Sequence, residues 1–354
     1  MNREQLLEAV AFGQPVQRVD AYGMDLRGAD LSGAIFEDVD WTGAELEGAD
    51  FTESSLVHCR LSGVGLRRVT LRRSSLIECE ARELDLSGAD LGAASLVQTD
   101  LSGATFAGLE LEVTGFIGCK LGGANMAGAR LDRVRILDGE VAGLVLDGAT
   151  LEQVTFFRAD LRGLSLAGAS LDRTVMVECD LRGQRLDGLR LPHCQFSKSD
   201  LTGASLRGAM IGGACFAEAK LAGADLREVR AKHAVFNQAS LGEALLGEGD
   251  FTQSCFAGAD LGVVKAAGAN LYQANLAGAR LVGAVLRDTE LTYADLSHAD
   301  LTGADLAGAT LFRARLHRIR DEGAIFTDRL RAHGDDESLA RAEDFSPNTT
   351  GDTP

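Results

Sequence analysis

From Leu26 onward a large apolar residue returns at every fifth position: Leu26, Leu31, Phe36, Trp41, Leu46, Phe51, Leu56, Leu61, and so on without a slip to Leu316. Of these 59 positions, 56 hold Leu, Phe, Ile, Val, Met or Trp, and only Ala81, Ala231 and Ala266 are small. A step of five suits neither regular element. Around an α-helix it scatters the leucines over the whole cylinder. Along a straight strand an odd step alternates faces, so half of them would meet water. A chain that buries every fifth residue on one side has to turn after each pentad, which makes it a coil wound about an apolar axis.

The residue two before each large one is usually small, as at Ala29, Ala34, Ala44, Ala49, Cys59, Cys79, Ala89 and Ala94. One large and one small inward side chain per pentad fill the interior without voids. The other three positions collect Asp, Arg, Ser, Thr and Gly, and therefore face solvent.

The number of pentads per coil is also written in the chain. Sorting the position two after each large residue by a period of 20 gives four faces, and Gly holds 22 of 29 places on two of them but 5 of 30 on the other two. Glycine is the residue that enters a type II turn at positive φ without steric cost. Phe36, Phe116, Phe156, Phe196, Phe216, Phe236 and Phe256 are likewise separated by multiples of 20. Four pentads thus close one square coil. At about 4.8 Å per stacked layer, nearly fifteen coils make a rod of roughly 70 Å.

Pentads such as Ala29-Asp30-Leu31-Ser32-Gly33, Ala224-Asp225-Leu226-Arg227, Ala299-Asp300-Leu301-Thr302-Gly303 and Ala304-Asp305-Leu306-Ala307-Gly308 resemble the A(D/N)LXX signature of the pentapeptide-repeat family. The resemblance runs over residues 24–326 and implies an all-β fold, a right-handed quadrilateral β-helix. Some members of that family resemble B-form DNA in size and acidity and modulate type II topoisomerases such as gyrase. Long members with a short N-terminal helix resemble accessory or adaptor components of bacterial secretion machinery, including type VI systems.

A solenoid needs covers over its end coils. Residues 1–23 are expected to supply one, with a short capping helix. Asn2 and Gln5 have capping-box spacing ahead of Leu6, Leu7 and Val10, and Gly13 and Pro15 end the segment. Residues 327–354 are polar and predict a short helix at most, followed by a disordered Ser346-Pro347-Asn348-Thr349-Thr350-Gly351 stretch.

Composition narrows the function classes. The 354 residues carry a net charge of −17, which disfavours direct nucleic-acid binding, since phosphates demand concentrated Lys and Arg. No apolar run approaches the roughly 20 residues of a membrane span, and Glu4 and Glu8 interrupt the N-terminal segment as no signal peptide would allow. Membrane insertion is not expected. Seven cysteines, an odd number, read as reduced thiols in a cytoplasmic protein. Cys59, Cys79, Cys119, Cys179 and Cys194 occupy the small inward position and read as buried fillers. Cys215 and Cys255 point outward two coils apart, too far for a disulfide. The six histidines (His58, His193, His233, His298, His317 and His333) read as surface residues, without metal-ligand spacing. Neither a phosphate loop nor a catalytic constellation interrupts the frame, so no cofactor, metal or catalytic residue is expected.

Function then belongs to the outer walls. The residue following each inward member of the Phe-rich face runs Val57, Ile77, Val97, Ile117, Leu137, Phe157, Val177 over seven consecutive coils, with Ile35 and Val175 beside it. This stripe predicts a surface for a protein partner, either a second copy in a homodimer or a different protein. Tyr272, Tyr293 and Phe312 form a second cluster toward the C-terminus. A DNA mimic would show unbroken acidic rows, but the Gly-rich face from Asp40 to Glu322 carries 12 acidic and 8 basic residues, and Arg60, Arg67, Arg68, Arg72, Arg73 and Arg82 form a basic belt. The reading is a non-enzymatic protein-binding scaffold, with topoisomerase modulation and a secretion-system adaptor as alternatives.

Overall fold

The computed structural model describes residues 1–344, so the expected disordered stretch from Ser346 to Gly351 lies outside the described residues. The chain is a right-handed parallel β-solenoid of about 16 turns with a short helix near each end. The estimate of fifteen coils fell short because stacking starts two pentads earlier than Leu26. Val16 and Ala21 are already buried, and Val16–Gln17 pairs in parallel with Phe36 and Glu37. At the far end Arg315 pairs with His333, so the ladder also passes residue 326.

The period of 20 is literal. Asp20 pairs with Asp40, Asp40 with Arg60, and bridges at that offset continue to Asp300 with Arg320. Leu161, Leu201 and Phe236 have no solvent exposure. Two walls contain long runs of extended strands, and a third carries only the short pair Asp305–Leu306 and Ile325–Phe326. One is a nine-stranded sheet from Val16–Gln17 through Ile35–Glu37 and Ser55–Val57 to Val175–Val177. The adjoining wall holds four strands, Glu110–Glu112, Arg130–Asp132, Thr150–Glu152 and Ser170–Asp172.

The local chemistry explains the signature. Where Asp or Asn precedes the inward residue, its side chain turns along the wall and Oδ1 accepts the N–H two residues on, as in Asp50 with Thr52 (2.8 Å), Asp200 with Thr202 (3.1 Å) and Asn275 with Ala277 (3.0 Å). That contact holds the turn at those pentads. Several inward hydroxyls and thiols are satisfied by a carbonyl of the preceding coil, although Ser54 Oγ and Thr174 Oγ1 find no partner. Thr99 Oγ1 donates to the Leu76 carbonyl (3.2 Å), Ser199 Oγ to Met176 (2.6 Å), and Cys119 Sγ to Leu96 (3.2 Å).

The glycine rule describes only half of the corners. All four walls turn through left-handed backbone, and where Gly is absent Glu53, His58, Arg73, Glu78 and Arg158 adopt φ between 51° and 58°. Each such residue costs on the order of 1 kcal/mol. The stacking offsets it, because the strained N–H is bonded to the next coil: His58 donates to the Ile77 carbonyl (3.0 Å) and Glu78 to Val97 (2.9 Å).

At the N-terminus the helix α1 (Arg3–Ala11) carries the expected capping box between Asn2 and Gln5 and buries Leu6 and Ala9 against the first coil. At the other end a 3₁₀ turn (Arg329–Arg331) leads to the helix α2 (Glu337–Glu343), capped by Asp336.

Candidate functional site

The stripe is one outer row of the nine-stranded sheet. Val57, Ile77, Val97, Ile117, Leu137, Phe157 and Val177 lie side by side in register, each directly opposite the next. They are half-buried, since neighbouring coils cover their flanks, and Ile117 is the most open at 39% exposure. On one side runs a row of mostly small residues, Ser55, Ser75, Ser95, Gly115, Arg135, Thr155 and Val175, headed by the exposed Ile35. On the other side the corner residues form a charged rail of Arg18, Asp38, His58, Glu78, Gln98, Gly118, Asp138, Arg158, Glu178, Lys198 and Glu218.

The rail is ion-paired in separate runs on either side of Gln98, Gly118 and Asp138. Arg18 meets Asp38 (3.7 Å), His58 lies between Asp38 (3.6 Å) and Glu78 (3.4 Å), Arg158 binds Glu178 (2.8 Å), and Lys198 faces Glu218 (3.9 Å). The Arg158 guanidinium also covers the Phe157 ring at 4.8 Å, which ties rail to stripe. The Glu178 carboxylate beside Arg158 raises that guanidinium's pKa further above its ordinary value.

Strand geometry does not demand apolar residues here. On the four-stranded wall the equivalent position, directly after the inward leucine, holds Glu112, Asp132, Glu152 and Asp172. Two walls of one rod share an extended backbone, and only one carries an apolar row.

Tyr272, Tyr293 and Phe312 also come together, edge to face at 6.0 and 5.9 Å, with Arg313 over the Phe312 ring at 5.4 Å. The basic belt is neutralised in place. Arg60 pairs with Asp40 (3.2 Å), Arg67 with Asp85 (2.5 Å), Arg68 with Glu47 (4.0 Å), Arg72 with Asp90 (3.2 Å), Arg73 with Glu53 (2.7 Å) and Arg82 with Asp100 (2.7 Å). The widest concavity near it, about 740 Å³, is an open groove lined by Ser62, Glu78, Arg82, Asp100 and Lys120.

The repeat frame accounts for this much of the architecture, and comparison with known sequences agrees. The family model for pentapeptide repeats matches in eight copies over residues 25–63, 174–211, 214–253, 254–292, 269–308 and 289–328, and a second model, a pentapeptide repeat region, matches residues 49–126. The chain belongs to the pentapeptide-repeat family. Among curated proteins, none matches this pentapeptide-repeat chain. Among solved structures it is similar to a trypsin-treated variant of QnrB1, a plasmid-mediated fluoroquinolone resistance protein (16% identity over 55% of this chain and 89% of that one, TM-score 0.36). It is also similar to HetL from the cyanobacterium Nostoc sp. strain PCC 7120, involved in heterocyst differentiation regulation (24% identity, 89% and 96% covered, TM-score 0.15). A third is a pentapeptide repeat protein of the Arabidopsis thaliana thylakoid lumen (32% identity, 30% and 66% covered, TM-score 0.18). Among the described residues of this pentapeptide-repeat protein, no helix is long and apolar enough to cross a membrane.

One group of residues contradicts the sequence reading. His298 and His317 are not simple surface histidines, for both converge on Glu343 of α2, at 3.1 and 3.3 Å, and His317 is only 3% exposed. Arg318 adds contacts to Glu343 (3.3 Å) and Asp344 (2.6 Å), so α2 is latched onto the last coils. The three side chains are close enough to share a metal ion. However, His317 Nδ1 accepts the Asp336 N–H at 3.1 Å, which places the ring proton on Nε2, the nitrogen facing Glu343. The arrangement is a hydrogen-bonded clasp. Spacing rules missed it because Glu343 stands 26 and 45 residues away, outside the repeat frame.

The inward cysteines are where the frame places them, all seven are free thiols, and Cys215 and Cys255 are partly exposed. Burial pushes the Cys119 and Cys179 thiols up to about 11 and Cys194 to about 12.

Proposed function

We propose that this chain is a non-enzymatic scaffold that binds protein through the Val57–Val177 stripe. The contrast between the nine-stranded and the four-stranded wall carries the reading. Under identical backbone constraints the four-stranded wall presents Glu112, Asp132, Glu152 and Asp172, whereas the nine-stranded wall presents seven apolar side chains in one line. Six layer steps of about 4.8 Å make that line ~29 Å long. A continuous apolar strip with a polar rim is the surface anatomy of a protein interface.

Converting Ile77, Ile117 and Phe157 together to Asp tests the idea. These side chains point outward, so the coil persists and circular dichroism stays that of the parent. Associations recovered by cross-linking and co-purification are lost. A folded triple variant that keeps every association of the parent refutes the reading.

A further inference from the structure

The rail beside the stripe has an order that local pairing does not require. It is centred on Gly118, and reading outward in both directions the residues at equal distances are Gln98 and Asp138, Glu78 and Arg158, His58 and Glu178, Asp38 and Lys198, Arg18 and Glu218. The three pairs in which both members are carboxylate, Lys or Arg (Glu78 with Arg158, Asp38 with Lys198, Arg18 with Glu218) are all of opposite sign. The alternation along the rail would give like pairs about its centre, were it not broken in phase by the uncharged Gln98 and Gly118. That break turns a plain ladder into one that complements its own reverse.

The same level is the midpoint of two other features. Ile117 is the fourth of the seven stripe residues and the most exposed of them. It is flanked by Gly115 and Gly118, the one level of the stripe where neither neighbouring row carries a side chain. A Cβ added at Gly115 would meet nothing within 4 Å. Stripe, rail and glycine gap therefore share a single centre.

We infer that the partner of this wall is a second copy of the same chain, packed antiparallel and face to face, with the two-fold axis running along the strand direction through Ile117. The inference rests on the scaffold reading and names its partner. The two-fold maps each row onto itself in reverse. The stripes then bury each other, Val57 against Val177 and Ile77 against Phe157. The rails meet with Glu78 against Arg158 and Asp38 against Lys198, each twice by symmetry. In the small-residue row Ser75 meets Thr155 and Ser95 meets Arg135, with no like charges opposed.

Register is specified by repulsion as well as attraction. Sliding one copy by a single coil sets Glu78 against Asp138 or Glu178, and Asp38 against Glu178 or Glu218, depending on direction. The apolar row alone would tolerate that slip, since its residues are interchangeable, but the rail does not. These side chains stay exposed beside their own-chain partners, Glu78 at 52%, Arg158 at 62% and Lys198 at 54%, so each can share its charge across the interface. A face roughly 40 to 50 Å long and one strand triplet with its corner wide buries on the order of 1,000 Å² in total, the lower end of specific interfaces, so a micromolar dimer is expected.

The test uses the full chain in sedimentation velocity at concentrations up to about 100 µM, well above that range. The parent sediments as a reversible dimer of the 37.3 kDa chain. Glu78→Arg sets Arg against Arg158, and Arg158→Glu sets Glu against Glu78. Each raises the dimer dissociation constant about tenfold or more. The double variant E78R/R158E returns it to within about threefold of the parent, because it swaps both partners of an opposite-charge pair. Within one chain these residues are four coils, ~19 Å, apart, so rescue cannot arise inside a monomer.

A monomeric parent, or a double variant no better than the singles, overturns the inference. If the monomeric parent still captures another protein and the stripe triple variant does not, the scaffold reading stands while the self-association falls. If the folded triple variant retains all associations, both fall.

Discussion

Phe236 sits in the middle of a column of rings, with Phe216 on one side at 5.0 Å and Phe256 on the other at 4.7 Å, both within 4° of parallel, and Phe251 edge-on at 6.1 Å. It is fully buried. Rings forced face to face by the coil spacing gain little from their quadrupoles, so the stack is worth mainly its burial and dispersion. Replacing Phe236 by Ala removes that burial and leaves a cavity that the rigid stacked backbone cannot close. The expected cost is ~4 kcal/mol, within the range for buried Phe to Ala. Phe236→Leu should cost only ~1 kcal/mol, since Leu fills the same site at Leu56, Leu76 and Leu96. Each coil touches chiefly its neighbours, so the damage stays local unless the rod unfolds as one unit. Trp41, the single tryptophan, is buried about ten coils away and reports the N-terminal part alone. In urea, the parent's Trp41 fluorescence and far-ultraviolet circular dichroism should fall together. In Phe236→Ala the dichroism should begin to fall at lower urea while the fluorescence midpoint moves little. A loss below ~1 kcal/mol would refute the cavity argument, and an equal shift of both probes would refute the nearest-neighbour one.

Other consequences follow from the clasp, the thiols and the aspartates. Glu343→Gln or His317→Ala should free α2, seen as faster proteolysis after Arg341 with the melting of the solenoid changed by no more than ~1 kcal/mol. With five of the seven thiols buried and those of Cys119, Cys179 and Cys194 pushed up by desolvation, a native thiol titration at pH 8 should label Cys215 and Cys255 and spare the rest until denaturant is added. Asp160, Asp180 and Asp225 are held below the ordinary 3.8, chiefly by the arginines two residues on. A carboxyl depressed in the folded state stabilises it above the unfolded value and loses that contribution as pH falls through the folded one. The urea midpoint should therefore be flat from pH 7 to about 5 and drop as pH is taken below 3.8. A midpoint unchanged at pH 3 would contradict these pairings.

How far the chain could be read depended on whether a feature obeyed the coil period. The inward leucines, the Phe column and the cysteine fillers each repeat at 5 or 20, and a periodic pattern carries its own proof of register. The capping box was legible for a different reason, since Asn2 and Gln5 are a local pair whose chemistry needs no tertiary knowledge. The corners were half legible. Gly marks left-handed backbone where it occurs, yet nothing in the identity of Glu78 or Arg158 announces a φ near 51°. Those residues are held there by hydrogen bonds to the next coil, a constraint that exists only after stacking. The clasp was illegible for the same reason in stronger form. His317 becomes buried because α2 folds back over it, and no spacing within the repeat places Glu343 beside it.

That division bears on where function should be sought in such a rod. Properties that recur down the whole rod, such as the inward leucine or the aspartate that holds many of its turns, are what the fold itself requires, and they cannot distinguish one stretch of wall from another. Information about a partner has to sit in departures from the repeat. The stripe departs because it replaces polar residues by apolar ones over seven coils only, and the rail departs because its alternation loses phase once, at Gln98 and Gly118. A charge ladder serving only its own chain has no reason to stop alternating at the midpoint of the apolar row, where Gly115 and Gly118 also strip the wall of side chains. A ladder that must also meet its own reversed copy has to change phase once, and the only level that serves is the one the two copies share.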